Sequence, residues 1–396
     1  MYALYQIWRW YIKYGRCRYP YPAAEKLRFF LEINKLYETD YQEKHDRNGK
    51  TAKEKYISNS ACLCCSEDEK VIRVRFIKQG DRFTDKVTTL DTGLKALFKL
   101  DISKKLDTNG FCEYTFDKTP DSRLNLVYGM PDIKNTTIPI TEKISLNVSS
   151  VSHGLTIGNT GSGKSFFIFY KILAYMKMKA FLYIADPKSA DLSLIKYIKG
   201  FENRVACEPN QIARLLREMS EVMEERYKTY FSDTSAFGKT YIDFELPPVV
   251  FIFDEFAAFI KTVDKKLAGE CMSYLYSIVL KGRAAGCFIE LILQRPDASL
   301  IDGAIRDQLG CRVLLGNASK EGYVMCFGTS DVDHKTITVK GGGYIKIDGQ
   351  GEEKYFETPF IKDLDFIKEL TNIYSHNTSR QSFAAGSSGC EAIRTE

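Results

Sequence analysis

The run from His153 to Ser165, HGLTIGNTGSGKS, decides the fold. Its first half is an apolar stretch that reads as a strand, and Gly158 to Ser165 matches G-x-x-x-x-G-K-[ST]. The residues that follow, SFFIFYKILAYM, suit a helix, so the motif lies between strand and helix, the context it requires. Gly158, Gly161 and Gly163 let backbone N–H groups turn inward around phosphate oxygens, with Asn159, Thr160 and Ser162 completing the loop. The helix N-terminus adds its positive end. Lys164 can reach the β- and γ-phosphates and Ser165 can hold Mg²⁺, so the cofactors expected are ATP and Mg²⁺.

Outward from this loop, continuous apolar runs recur: AFLYIAD, PVVFIFDE, FIELILQ and CRVLLG. Such runs fit strands of a parallel sheet covered on both faces, with helices such as QIARLLREMSEVMEERYKTYF between them. The run PPVVFIFDEF delivers Asp254 and Glu255 at a strand's C-terminal end. Asp254 is there a candidate Mg²⁺ ligand and Glu255 a candidate general base for an attacking water. FIELILQRPDAS ends its strand on Gln294, which could sense the γ-phosphate or orient water. KGRAAG, just before, contains Arg283, a candidate to reach a neighbouring subunit's nucleotide, with Arg306 and Arg312 as rivals. DPKSADLS, from Asp186 to Ser193, follows the second core strand and reads, by chemistry alone, as a turn with a helix cap.

Composition narrows the class. Among 396 residues, 44% are hydrophobic and 27% charged, the texture of a globular protein rather than a disordered or fibrous one. A formal charge of +5 is too small to identify a nucleic-acid binder by itself. No run of about 18 uncharged apolar residues marks a membrane span. The 11 cysteines, scattered and odd in number, read as reduced thiols. Cys62-Leu63-Cys64-Cys65 contains a CxxC, but zinc would need a second ligand pair, and the nearest further cysteine is the lone Cys112.

Taken in order, HGLTIGNTGSGKS, IADPKSADLS, VVFIFDEFA and KGRAAGCFIELILQRPDASLIDGAIRDQLGCRVLLG resemble the FtsK/SpoIIIE family of DNA translocases, within the HerA–FtsK ATPases. GGGYIKIDG looks like the family's closing strands. The resemblance covers about 140–361, and the lead-in IPITEKISLNVSSVSHGLTIG looks most like the coupling proteins of Gram-positive integrative and conjugative elements. It implies an α/β fold, a RecA-like P-loop NTPase core with a mainly parallel sheet. It also implies a homo-oligomeric ring, a hexamer, that moves DNA through a basic channel with little regard to sequence. Phosphate binding falls to Gly163, Lys164 and Ser165, Mg²⁺ to Asp254, water activation to Glu255, sensing to Gln294 and a trans-acting role to the segment of Arg283. Lys239, Lys335 and Lys340 are guesses at DNA contacts. A relaxase and the proteins of a type IV secretion channel are the implied partners.

The organisation expected is a helical, basic and aromatic segment over 1–60, a small α+β domain over 61–139, the motor domain over 140–374 and a disordered tail over 375–396. The opening YQIWRWYIKYGRCRYPYP, with Arg9, Lys13, Arg16 and Arg18 among aromatics, could lie on an anionic membrane, or pack as a helix or arm. Membrane helices, a long linker and a C-terminal winged helix, features of the chromosome-segregating members, find no match here. Localisation is therefore read as cytoplasmic, peripheral on the membrane if the aromatic start binds lipid. Two other readings compete with the motor: a P-loop enzyme of another class, such as a small-molecule kinase, and a non-hydrolysing, nucleotide-gated scaffold that recruits a relaxase.

Overall fold

The structure, a computed structural model, describes residues 23–45, 51–100, 102–119, 121–127, 129–133, 136–295, 303–328, 334, 336–361 and 364–385. The aromatic and basic start, residues 1–22, lies outside them, as does Lys335. Two units partition the chain, Met1–Pro120 and Asp121–Glu396. The expected break at 139/140 thus falls earlier. Arg123 donates to the Thr358 carbonyl, and Leu126, Met130 and Ile138 share a core with Phe356 and Ile361, which ties 121–139 to the second unit.

In the first unit, helix α1 (Ala23–Ile33) buries Ala23, Leu27 and Phe30 along one face. The helical segment expected over 1–60 stops there. Lys35 adopts a left-handed φ of 48°, and strands β1 (Tyr37–His45) and β2 (Thr51–Ser60) pair antiparallel. Apolar residues at helical spacing run out after Ile33, whereas Thr39, Tyr41, Tyr56 and Ile57 favour a strand. Asn48-Gly49, a hairpin signal, falls in sequence between the paired ends, outside the described residues. Strands β3 (Cys62–Glu67), β4 (Val71–Ile77), β5 (Ile102–Asp107) and β6 (Phe111–Asp117) form an antiparallel sheet in the order β3-β4-β6-β5, with helix α2 (Asp91–Phe98) between β4 and β5 in sequence. Ile72, Val74, Phe76, Cys112, Tyr114 and Phe116 alternate inward from β4 and β6 and pack with Leu27, Phe30, Leu94 and Phe98.

The second unit opens with a short ribbon of β7 (Thr137–Pro139) and β8 (Ser145–Asn147). The stretch LNLVYG, which reads as a strand, makes an isolated bridge from Asn125 to Phe360. The central sheet follows: β9 (Gly154–Gly158), β10 (Phe181–Ala185), β11 (Val205–Ala206), β12 (Val249–Phe253), β13 (Cys287–Leu293), β14 (Cys311–Leu315), β15 (Gly342–Ile347) and β16 (Lys354–Glu357). Their order is β11-β10-β12-β13-β9-β14-β15-β16, parallel from β11 to β14 and antiparallel for the last two. Burial on both faces is what makes the inner strands continuously apolar. Leu182, Ile184, Val250 and Ile252 point to one face, where helices α3 (Lys164–Lys177) and, later in the chain, α9 cover them. Phe251, Phe253, Ile289 and Leu291 point to the other, beneath α4 (Pro209–Tyr230), α5 (Phe256–Thr262), α6 (Lys265–Ala285), α7 (Gly303–Gln308) and α8 (Lys320–Phe327).

Helix α9 (Phe366–Ala385) corrects the expected disordered tail over 375–385. Its Asn, Ser and Thr content argues against a helix, but docking overrides propensity. Leu370 and Ile373 are buried, and Asn377 donates to the Met176 carbonyl at the end of α3. A second polar feature lies within the core. Lys171 of α3 and Glu290 of β13 form a buried ion pair at 2.5 Å, with the Tyr175 hydroxyl also donating to Glu290. Gly154 makes room for that carboxylate, since a Cβ there would stand 2.2 Å from Glu290 Oε2.

Candidate nucleotide site

Register decides which residues meet. Ala185 lies beside Phe253, Phe253 beside Leu291, Leu293 beside Ile157, and Gly158 beside Leu315. The parallel strands therefore end at one edge of the sheet. The residues that leave them, Asp186, Asp254, Gln294 and Gly158, fall in a row along it. Gly158 to Gly163 form a loop whose tip, Asn159 to Gly161, is exposed. Gly163 has φ 104° and precedes the first residue of α3; a Cβ there would also stand 2.9 Å from Gly341 Cα. The loop is buttressed from far along the chain, because Gly341 N–H donates to the Ser162 carbonyl at 2.9 Å. Lys164 folds back on the loop itself, donating to the Gly158 carbonyl and, at 3.4 Å, to that of Asn159. An ammonium resting on carbonyls at the mouth of an amide-lined loop fits the group that an anionic phosphate would draw away. Burial lowers its pKa, with the Lys188 charge acting in the same direction and Glu255 and Asp254 opposing.

The acidic side of the site is equally specific. Burial, then the charges of Asp186 and Glu255, push the Asp254 carboxyl up to about 6. Crowded carboxylates of this kind fit a divalent cation, which would relieve their repulsion. Asp254, with Ser165 across the loop, are the residues that would hold it. Glu255 is 7% exposed and takes a left-handed conformation, φ 49° and ψ 42°, just ahead of α5. A non-glycine residue held there is strained, as functional turns tend to be. Gln294 is half-buried at the end of β13, between the strands that carry the loop and Asp254.

Two further residues of the edge escape a reading of composition. Asp186 is fully buried and accepts from the Lys188 N–H at 3.2 Å and the Ser193 N–H at 3.0 Å, fixing the turn after β10. Lys188 Nζ stands 3.4 Å from Glu255 Oε2. The signal that finds them is position: a lysine three residues beyond the end of a strand adjacent to the one that delivers Asp254.

The arginines sort differently. Arg283 is exposed in the last turn of α6, at the entry to β13 and so about 20 Å from the nucleotide edge of its own chain. Arg312 is consumed by Asp348 at 2.8 Å, and Arg306 is half-buried against Asp307. Among the guessed DNA contacts, Lys239 is exposed over the Phe244 ring, while Lys340 lies over Phe166, beside the phosphate loop.

Comparison with known proteins bears on the family and the fold. The FtsK/SpoIIIE family profile matches residues 130–239. The chain carries an FtsK/SpoIIIE domain. The FtsK domain-containing protein YdcQ of Bacillus subtilis is 33% identical over 297 residues, covering 69% of this chain and 59% of that protein. The DNA translocase FtsK of Corynebacterium glutamicum is 25% identical over 230 residues, 53% of this chain and 23% of its own. The chain thus spans from about a quarter to three fifths of these relatives' lengths. Among solved structures, the pCW3 conjugation coupling protein TcpA, in its monomer form with ATPγS, superposes with TM-score 0.56 at 17% identity, over 89% of this chain and 98% of that one. The EssC ATPases 2 and 3 of Geobacillus thermodenitrificans give 0.52 at 13% identity, over 67% and 52%. At such identities the likeness speaks to the fold, a mixed α/β core with a mostly parallel central sheet.

Proposed function

We propose that the second unit is a Mg²⁺-dependent ATPase that moves DNA, acting as a conjugative coupling protein within a homo-oligomeric ring. One observation carries the reading: Lys164, Asp254, Glu255 and Gln294 converge on the same sheet edge as the phosphate loop. Loop amides from Gly158 to Gly163, Lys164 and Ser165 bind the phosphates. Bound Mg²⁺ supplies neutralisation of developing charge, held by Ser165 and Asp254. Glu255 takes the proton of the attacking water, and Gln294 orients that water. Arg283 reaches a site only from another copy of the chain, which is why a ring, a hexamer by resemblance, belongs to the proposal. The likeness to YdcQ, to FtsK translocases and to a coupling protein supports DNA as the cargo. A relaxase and channel proteins are then the partners that supply and accept it.

The test is ATP hydrolysis by the full chain with and without DNA. Hydrolysis should rise with DNA of any sequence and fall by about a hundredfold or more in Glu255→Gln, the usual weight of a general base. Lys164→Ala should abolish nucleotide binding as well. DNA binding should weaken steeply with salt, since phosphate contacts release counterions. An assembled protein whose hydrolysis ignores every DNA offered sinks the reading.

A further inference from the structure

We propose that Lys188 is a positioning residue whose ammonium group masks the Glu255 carboxylate from the attacking water until the phosphates of a bound nucleotide compete for that ammonium. The inference rests on the reading of Glu255 as general base and adds what keeps that base idle between turnovers. Lys188 Nζ lies 3.4 Å from Glu255 Oε2, and its side chain is 44% exposed against 10% for that of Glu255. The two ends of Lys188 are held very differently. Its backbone is fixed: Pro187 precedes it, its N–H is bound by the buried Asp186, and the same carboxylate binds Ser193 N–H across the turn. Ser189, next along, has a left-handed φ of 51°. The tip, by contrast, is half in solvent on four methylene groups, free to swing from a fixed root. Glu255 has no such freedom, being buried and confined to a left-handed turn.

Lys164 is engaged elsewhere in this arrangement, on the carbonyls of Gly158 and Asn159. Lys188 is therefore the cation that meets the carboxylate. A base whose lone pairs face an ammonium is a poor acceptor for a water proton. An anionic ligand in the phosphate loop offers that ammonium a second partner, and Glu255 is released where and when a phosphate is present. The restraint is modest, because a half-exposed ion pair is weak. Its effect is read in several-fold changes rather than orders of magnitude.

Two measurements on the full chain test this. Carbodiimide coupling followed by peptide mass spectrometry reports the pair without any turnover. A Lys188–Glu255 amide should form in nucleotide-free protein and drop about fivefold with Mg²⁺ and ATPγS. Separately, Lys188→Met should raise DNA-free hydrolysis about fivefold with little change in KM, so that the ratio of DNA-stimulated to DNA-free rate shrinks. Lys188→Arg should restore most of the restraint. A cross-link indifferent to nucleotide overturns the proposal. So does a Lys188→Met protein with lower kcat and higher KM, which would make Lys188 a phosphate ligand. If the cross-link responds to nucleotide but the wild-type protein hydrolyses nothing with or without DNA, the restraint stands and the ATPase reading fails by itself.

Discussion

Strands β10 and β12 lie side by side and each is followed at once by an aspartate, yet Asp186 and Asp254 sit in opposite surroundings. Asp186 is wholly buried and spends its oxygens on two backbone N–H groups of its own turn. Asp254 is half-buried, is followed at once by another carboxylate, and is pushed up to about 6. Residue type and height in the sheet are the same. The difference comes from the following residues: Pro187 to Ser193 curl back over Asp186 and give it two backbone donors, whereas Glu255 leads straight into α5, giving Asp254 its own N–H but also a second negative charge alongside. A strand-end aspartate fixes its own turn when that turn folds back over it, and keeps oxygens open to an outside partner when the chain runs straight on.

The largest expected effect separates the two by activity. Asp254→Asn should lower Mg²⁺-dependent hydrolysis by about a hundredfold or more while the fold persists, because charge stabilisation by a metal is worth several kcal/mol. An Asp254→Asn protein with half the wild-type rate would erase the contrast.

Next comes pH. The folded-state pKa of Asp254 lies above its ordinary value, so the folded protein holds this proton more tightly than the unfolded chain. This group therefore favours folding below about pH 4, and that contribution is lost as pH rises through about 6. In chelator, Asp254→Asn should be more stable than wild type above pH 6 by at most about 3 kcal/mol, at about 1.4 kcal/mol for each pKa unit. Urea titrations across the range should show the gap closing as pH falls toward 4.

Asp186→Asn should have the opposite sign. An amide can accept from one of the two backbone donors but turns a competing donor toward the other, costing about 2 kcal/mol. For a unit of this size the melting temperature should fall by about 5 °C, measured by calorimetry. The smallest effect is Ser193→Ala, which removes only a hydroxyl bonded to the Ala190 carbonyl and leaves the N–H that Asp186 uses. A loss of about 1 kcal/mol or less, with hydrolysis intact, would show that the backbone of this turn matters and its side chain does not.

The same contrast explains what could be read in advance. The phosphate loop, β12 with Asp254 and Glu255, and β13 with Gln294 were legible because buried parallel strands are written as unbroken apolar runs that stop at polar residues. Lys188 was not, since Asp-Pro-Lys-Ser is an ordinary turn until β10 and β12 become neighbours, and they are separated by some sixty residues of chain. The hairpin of β1 and β2 hid for another reason. Tyr41, Tyr56 and Ile57 are exposed, so no buried face stamps a period of two on the sequence. Helix α9 was obscured by its own composition, because what stabilises it is Leu370 and Ile373 docked against other elements rather than any local preference.

The contact between Gly341 and the phosphate loop bears on how this protein can be cut. The loop at 158–163 is finished by a backbone amide almost 180 positions downstream, just ahead of β15. A fragment trimmed to the family-matched residues 130–239 would omit Asp254, Gln294 and that supporting amide together. Any minimal soluble piece meant to bind nucleotide has to run through β15 and its partner β16, and a protease nick near Lys340 should release the grip on ligand long before the rest of the sheet comes apart.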